Sequence, residues 1–170
     1  MPSHRFEILS SWNGETLLPG EWATVDLLLG DPVEVRVEAA YYGDPAPIDR
    51  PGRQYGLWEF EVVELFLLGD DDRYLEIELG PHGHWLALSL AGPRVVVDDW
   101  VPIEFEATQK GDRWTGRAQF DPSWLPTGLA RANAYAIHGV ADTRRHLATT
   151  PLPGDHPDFH RLDGFSRFLE

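Results

Sequence analysis

The recurrence of short segments in which apolar and polar residues alternate constrains the fold of this chain more than any other feature. Alternation with a period of two is typical of strands that bury one face, and clusters of glycine, proline and aspartate separate the segments. Helical periodicity is confined to one turn at FDPSWLP, which Asp121 can cap. The pattern predicts an all-β fold, an antiparallel β-sandwich of about nine or ten strands with minimal helix, in a single domain over residues 1–170. The predicted strands cover residues 22–28, 33–42, 57–68, 73–79, 84–90, 95–98, 103–108, 113–120, 132–140 and 165–169.

The stretch LWEFEVVELFLLG, residues 57–69, contains a glutamate whose position needs an explanation. On a strand over residues 57–68, Glu64 shares a face with bulky apolar side chains, because successive side chains point to opposite sides. Four-residue turns at GDDD and GPHG would complete an apolar face of residues 58, 60, 62, 64, 66, 75, 77, 79, 84, 86 and 88. The opposite, solvated acidic face would then carry Glu59, Glu61, Glu76 and Glu78. A bulge at residues 62–63 would instead align Glu64 with Glu59 and Glu61.

An ionised carboxylate among apolar neighbours is costly unless it is paired or hydrogen-bonded. The apolar setting of Glu64 therefore predicts that another group of the protein binds its carboxyl group.

The charge of the chain limits the partners that it can have. Its 28 acidic and 14 basic residues give a net charge of −14, so its surface repels phosphate backbones and anionic lipids. We therefore expect no nucleic-acid partner and no membrane partner. The lack of cysteine excludes disulfides, thiolate nucleophiles and zinc–thiolate sites. No secretory signal and no apolar run long enough to span a membrane is visible, which favours a cytoplasmic location.

Motifs for catalysis and for metal or cofactor binding are sparse. The chain lacks a Gly-x-Ser-x-Gly elbow, a phosphate-binding Gly-Lys-Ser loop and a dinucleotide fingerprint, which leaves pairs of acids as candidates for glycoside hydrolysis. No cofactor and no metal site is predicted, and binding of a metal by C-terminal histidines or by the aspartates 70–72 stays open. The histidines considered for such a site are His138, His146, His156 and His160.

Three stretches of the sequence, in this order along the chain, carry a resemblance to a known family: LWEFEVVELFLLGDDDRYLEIELGPHGHWLALSL, ANAYAIHG and PDFHRLDGF. Together they cover 51 of the 170 residues, about three tenths of the chain. The chain resembles small proteins related to the family 9 carbohydrate-binding modules of the DOMON-like superfamily. The resemblance implies a β-sandwich that holds a ligand on a concave sheet face. It also implies that Trp58 stacks on a sugar and that Glu64 binds its hydroxyl groups.

The resemblance also brings the C-terminal tail, with Phe159 and His160, back to the ligand face. Sugar-binding members carry basic groups on the strand after the acid, and His84 and Trp85 occupy about that place here. We expect Trp58, Glu64, His84, Phe159 and His160 to border one cavity. The full set of predicted ligand-binding residues is Trp58, Glu64, His84, Trp85, His138, Phe159 and His160.

The predicted function is non-catalytic binding of a saccharide or a related polyol, by aromatic stacking and by carboxylate hydrogen bonds. A carbohydrate is therefore the expected partner. The alternative is a small metal-dependent or carboxylate-based hydrolase that acts on glycosides, because acid pairs are the one catalytic pattern that the sequence offers.

Overall fold

The computed structural model describes residues 2–170 and consists of two β-sheets that form a sandwich. The predicted all-β sandwich with minimal helix is confirmed, since helical structure in these residues is limited to four three-residue 3-10 turns. Ten strands have four residues or more, and four are shorter. The strands are β1 Ser3–Ile8, β2 Ser10–Ser11, β3 Ala23–Leu28, β4 Val33–Ala40, β5 Gly52–Arg53, β6 Val62–Leu68, β7 Arg73–Leu79, β8 His84–Ala91, β9 Val96–Asp98, β10 Glu104–Lys110, β11 Arg113–Phe120, β12 Arg131–His138, β13 Arg145–Ala148 and β14 Ser166–Arg167.

The two sheets differ in size. The smaller sheet has the strand order β1-β3-β4-β11-β10, and the larger one has the order β2-β13-β12-β6-β7-β8-β5. In the larger sheet, β14 also pairs with β12 and β9 with β8. Every pair is antiparallel except β5 with β8. Within residues 2–170, no helix has the length and apolar character needed to cross a membrane.

The main core lies between the sheets, and a second apolar cluster covers the outer face of the larger sheet. Val35 and Trp114 of the smaller sheet and Leu65 and Ile77 of the larger one belong to the main core. The second cluster lies on the other face of β6 and β7, and Phe165 near the C-terminus packs into it. Strand β6 is therefore buried on both faces, whereas β3 buries only every second residue. This outer cluster borders the candidate site.

The prediction of which side chains of β7 face the core and which face outward was wrong. Leu68 pairs with Tyr74, so five residues form the turn where four were expected. Asp71 and Asp72 have φ values of 55° and 58°, and this left-handed backbone accommodates the extra residue. The next turn is also one residue longer, because Leu79 pairs with Trp85.

The two longer turns invert β7 alone and leave β6 and β8 in the predicted phase. Leu75, Ile77 and Leu79 therefore point into the core between the sheets. Glu76 and Glu78, which were assigned to a solvated acidic face, instead share the outer face with Glu64. The register between β6 and β12 is uninterrupted from Val62 to Leu68, so there is no bulge at residues 62–63.

The start of β6 also differs from the prediction. The strand begins at Val62, whereas Leu57–Glu59 forms a 3-10 turn that Gly56 opens with a φ of 79°. Trp58 is therefore not in line with Glu64, and the chain turns between the two residues. The predicted turn at FDPSWLP is present as Pro122–Trp124, where Asp121 Oδ1 accepts a hydrogen bond from the Ser123 N–H at 2.8 Å.

Candidate ligand-binding cavity

A cavity of about 750 Å³ lies on the outer face of the larger sheet. Strands β6, β7, β8 and β12 supply its floor, which includes Leu88 and Ile137. Trp58 and Glu59 of the 3-10 turn line one part of the wall, and the tail residues 157–160 line another. A cavity of this size, with apolar lining and a few polar groups, is typical of small-molecule sites.

Three glutamates meet beneath this cavity, and we call Glu64, Glu76 and Glu78 the acidic triad. Glu64 on β6 pairs directly across the sheet with Glu78 on β7, and Glu76 lies two residues further along the same face. Carboxylate oxygens of the three lie within 4.8 Å of one another. The exposed fractions are 2% for Glu64, 4% for Glu76 and 0% for Glu78. Glu64 and Glu76 line the cavity, whereas Glu78 does not.

The acidic triad lacks the partners that buried carboxyl groups normally have. Glu64 Oε1, Glu76 Oε2 and both carboxyl oxygens of Glu78 are buried without a hydrogen bond. The predicted protein partner of Glu64 is therefore missing at Oε1. Since buried polar groups are nearly always hydrogen-bonded, this concentration of unpartnered oxygens is unusual.

Burial and mutual repulsion set the protonation of the acidic triad. Burial raises the pKa of Glu76 to about 7. Burial, together with the charge of Glu76, raises the pKa of Glu64 and of Glu78 well above the usual range. These carboxyl groups therefore hold protons at a pH where exposed glutamates are ionised. A neutral carboxyl group can both donate and accept a hydrogen bond.

His160 extends the polar network next to the acidic triad. The Tyr74 hydroxyl accepts a hydrogen bond from the Arg94 N–H at 3.2 Å and lies 2.6 Å from His160 Nδ1. This arrangement favours donation of the hydroxyl proton to Nδ1, which leaves the ring proton on Nε2. His160 Nε2 lies 3.8 Å from Glu76 Oε2. Burial lowers the pKa of His160 to about 4, so the ring is neutral at pH 7.

Two arginines from loops line the cavity. Arg94 forms an ion pair with Asp158 of the tail, at 2.7 Å. Arg144 donates hydrogen bonds to the main-chain oxygens of Trp58, Glu59 and Gly139. These bonds join the 3-10 turn that carries Trp58 to the loop after β12. Arg144 is half-buried, and burial lowers its pKa.

Aromatic side chains form the rim of the cavity. Trp58 is 37% exposed, and Tyr55 meets it edge to face with 5.2 Å between the ring centroids. Phe159 stacks on Tyr135 at 3.8 Å, and the Tyr135 hydroxyl donates to the Phe159 carbonyl oxygen at 3.3 Å. Both the ring and the main chain of Phe159 therefore hold the tail against the sheet.

Four of the seven predicted ligand-binding residues line this one cavity: Trp58, Glu64, Phe159 and His160. The other three lie elsewhere. His84 is buried, with Nε2 2.8 Å from the Asp49 carbonyl oxygen. Trp85 packs against the core between the sheets. His138 stacks on Tyr42 at 3.6 Å, and its Nε2 lies 2.7 Å from Glu21 Oε2. His84 therefore does not border the cavity, contrary to the expectation. Trp85 and His138 contact other residues of the protein and do not line the cavity either.

The alternative metal ligands do not gather in the structure. His146 and His160 line the cavity, but His138 and His156 do not. Burial lowers the pKa of His146 to about 4. Aspartates 70–72 lie in an exposed hairpin turn. Within residues 2–170, the acidic triad is the group of three or more potential ligand side chains whose atoms converge.

The sequence reasoning missed Glu76 and Glu78 because it assumed shorter turns. A signal was present, since Leu75, Ile77 and Leu79 form a purely aliphatic set like residues 63, 65 and 67. Two such sets placed on one face make a continuous core, which leaves the glutamates of β7 on the face of Glu64. Arg94 and Arg144 belong to loops, where no periodicity predicts a direction.

Comparison with known proteins places the chain among relatives. No family model matches it. Human UPF0462 protein C4orf33 is 37% identical over 173 residues, which cover 96% of this chain and 86% of the human protein. The mouse homologue of that protein is 41% identical over 145 residues, which cover 80% of this chain and 76% of the mouse protein.

A solved structure shares the fold. It is the crystal structure of a Bacteroides uniformis protein described as a "putative carbohydrate-binding protein", with a TM-score of 0.67 and 15% sequence identity. The match covers 97% of this chain and 84% of that one. At this identity the likeness concerns the fold. The sequence identity and coverage shared with the human and mouse proteins show that the chain belongs to the UPF0462 protein family.

Proposed function

We propose that this protein binds a saccharide or a related polyol, without catalysis, in the cavity above the acidic triad. The observation that carries the proposal is the exposed ring of Trp58 at the rim of the same cavity whose floor contains the carboxyl groups of Glu64 and Glu76. The description of the Bacteroides uniformis neighbour and the resemblance to family 9 carbohydrate-binding modules support the same ligand class.

The proposed contacts divide between an apolar and a polar side of the ligand. The face of the Trp58 ring packs against the C–H groups of a sugar ring, which bury apolar area as they leave water. Glu64 and Glu76 bind hydroxyl groups, and a protonated carboxyl group suits this because a hydroxyl also donates and accepts. Sugar-binding members carry basic groups on the strand after the acid. In this protein Arg94 and Arg144, which line the cavity from loops, take that role.

The geometry favours binding over carboxylate-based hydrolysis. Glycosidases place two carboxyl groups on opposite sides of the scissile bond, roughly 5 to 10 Å apart, so that one protonates the leaving oxygen. In this protein the three acids of the triad converge on one side of the cavity, with carboxylate oxygens within 4.8 Å of one another. Asp158, which also lines the cavity, is ion-paired with Arg94. No pair of acids within the triad flanks the space that a ligand would fill.

The substitution Trp58→Ala tests the proposal. Stacking and a few net hydrogen bonds of about 0.5–1.5 kcal/mol each lead us to expect dissociation constants in the micromolar to millimolar range for the wild type. A screen of soluble sugars followed by calorimetric titration identifies the ligand. Trp58→Ala should weaken its binding by about tenfold or more, because the ring loses its contact area with the sugar.

Trp100→Ala is the matched control, since Trp100 is 61% exposed and lies outside the cavity, against Arg53. This variant should bind like the wild type. The proposal fails if Trp58→Ala retains full affinity. It also fails if no sugar binds the wild type at about 10 mM, a concentration that detects even millimolar affinity.

A further inference from the structure

We propose that the acidic triad of Glu64, Glu76 and Glu78 is a binding site for one hard divalent cation, of the class of Ca²⁺ and Mn²⁺. The ligands are carboxylate oxygens alone, which suit these ions better than zinc or copper. The ion site stands on the geometry of the triad and does not depend on the binding of a saccharide.

The spacing of the oxygens fits a single ion. Calcium lies about 2.3–2.6 Å from its oxygen ligands, so ligands on opposite sides of one ion are up to about 5 Å apart. The carboxylate oxygens of the triad lie within 4.8 Å of one another. One ion at their centre can therefore reach all three residues without a change of the backbone. Three carboxylates can supply up to about six oxygens if each binds with both, which is the lower end of the number that calcium takes.

The unpartnered oxygens are a second and independent observation. Residues 2–170 contain ten buried side-chain nitrogen or oxygen atoms without a hydrogen-bond partner, and four of these belong to the acidic triad. Two buried glutamates elsewhere are partnered: Glu61 accepts from the N–H groups of Tyr42 and Asp44, and Glu34 is paired with arginines. Four carboxyl oxygens of the triad therefore lack a hydrogen-bonded N–H group or arginine such as the other buried acids have, and a cation would supply the missing partner.

The position of the triad leaves one side of the ion open. Glu78 is fully buried and closes the site from below, whereas Glu64 and Glu76 line the cavity. Coordination positions that the carboxylates leave free therefore face the cavity, where water or two neighbouring hydroxyl groups can occupy them. This last contact rests on the proposed function, and it would orient a polyol against Trp58.

Titration of the metal-free protein with CaCl₂ and with MnCl₂, in the absence of any sugar, tests the site. Calorimetry should show one ion per chain, and the melting temperature should rise by at least about 5 °C when the free ion is at 100 times its dissociation constant. The lack of binding of both ions at millimolar concentration would overturn the proposal.

Glu78→Gln is the decisive variant, because it removes one charge while it keeps the shape of a side chain that does not line the cavity. It should weaken ion binding by at least tenfold. Glu59→Gln is the matched control, since Glu59 is an exposed acid that lines the same cavity outside the triad. This control should bind the ion as the wild type does.

Equal affinities in the wild type and Glu78→Gln, or equal losses in Glu78→Gln and Glu59→Gln, would show that the ion binds elsewhere and would overturn the assignment. Glu76→Gln serves the same purpose if Glu78→Gln does not fold, and circular dichroism checks the fold of each variant. If the protein binds the ion but no sugar, the cation site stands and the proposed function fails. If it binds a sugar but neither ion, the proposed function stands and the cation site is overturned.

Discussion

In the absence of metal ions, the free energy of unfolding should fall by roughly 3 kcal/mol as the pH rises from about 5 to 8, through the coupled titration of the acidic triad that includes Glu76. Burial raises the pKa of Glu76 from 4.5 to about 7 in the folded protein. Below pH 4.5 both states hold the proton. Between pH 4.5 and 7 the unfolded chain releases it while the folded protein keeps it, so stability decreases. Above about pH 7 both states are ionised and the contribution of Glu76 levels off.

Urea denaturation at pH 5, 6, 7 and 8 with a chelator present measures this effect. The glutamine of Glu76→Gln has no proton to lose, so the free energy of unfolding of this variant, relative to that of the wild type, should increase with pH. Glu104→Gln makes the same chemical change at an exposed position of β10 and should follow the wild-type profile. Parallel profiles for Glu76→Gln and the wild type would show that Glu76 does not hold its proton in the fold.

The second large effect concerns Glu21, which supports the far end of β12 and β13. We expect Glu21→Gln to lower the free energy of unfolding by about 3 kcal/mol at pH 7. Only 1% of the Glu21 side chain is exposed, and its oxygens lie 2.8 Å from Arg145 Nη2 and 2.7 Å from His138 Nε2. Glutamine keeps one oxygen that can accept a hydrogen bond, but the substitution removes the negative charge that pairs with the Arg145 guanidinium, and that loss is the main cost.

The pH dependence of this substitution has the opposite sign to that of Glu76. Burial alone would raise the pKa of Glu21, but the hydrogen bonds from Arg145, the Leu18 N–H and His138 outweigh it and lower the pKa to about 2. The stabilisation is therefore complete above about pH 4.5 and is lost as the pH falls towards 2. The difference between Glu21→Gln and the wild type should shrink over this range.

Glu38→Gln is the control for Glu21→Gln, because Glu38 pairs with Arg113 where both side chains are nearly half exposed. Exposed pairs contribute about 0–1 kcal/mol, so this variant should lose little. Chemical denaturation at pH 7 compares the two. Equal losses would show that the burial of Glu21 has no energetic consequence.

The sequence was sufficient to predict the sandwich but not to predict which residues form the floor of the cavity. Alternation predicted most of the strands, because each strand of a two-layer fold shows one face to the core. Two strands of four residues or more, β1 and β13, were not predicted. Strand β13, Arg145–Ala148, is too short for a pattern, and β1, Ser3–Ile8, buries only two of its six residues, Phe6 and Ile8. The turn lengths determine the face of the larger sheet on which the glutamates of β7 lie. The left-handed backbone of Asp71 and Asp72 adds one residue to the turn before β7, which places these glutamates on the outer face.

The resemblance predicted part of the cavity lining. Trp58, Glu64, Phe159 and His160 line one cavity, as the resemblance implied. The contacts of His84 depend on the turn before β8 and on the loop at Asp49, neither of which has a periodic pattern.

The position of the tail has a consequence for the formation of the cavity. Residues 157–160 line part of the cavity wall, and none of them belongs to the core between the sheets. The sandwich core therefore does not depend on these four side chains, whereas the cavity does. When Phe159 is not stacked on Tyr135, the aromatic surface over β6 and β12 is open to water. Docking of the tail and completion of the cavity wall are thus one event.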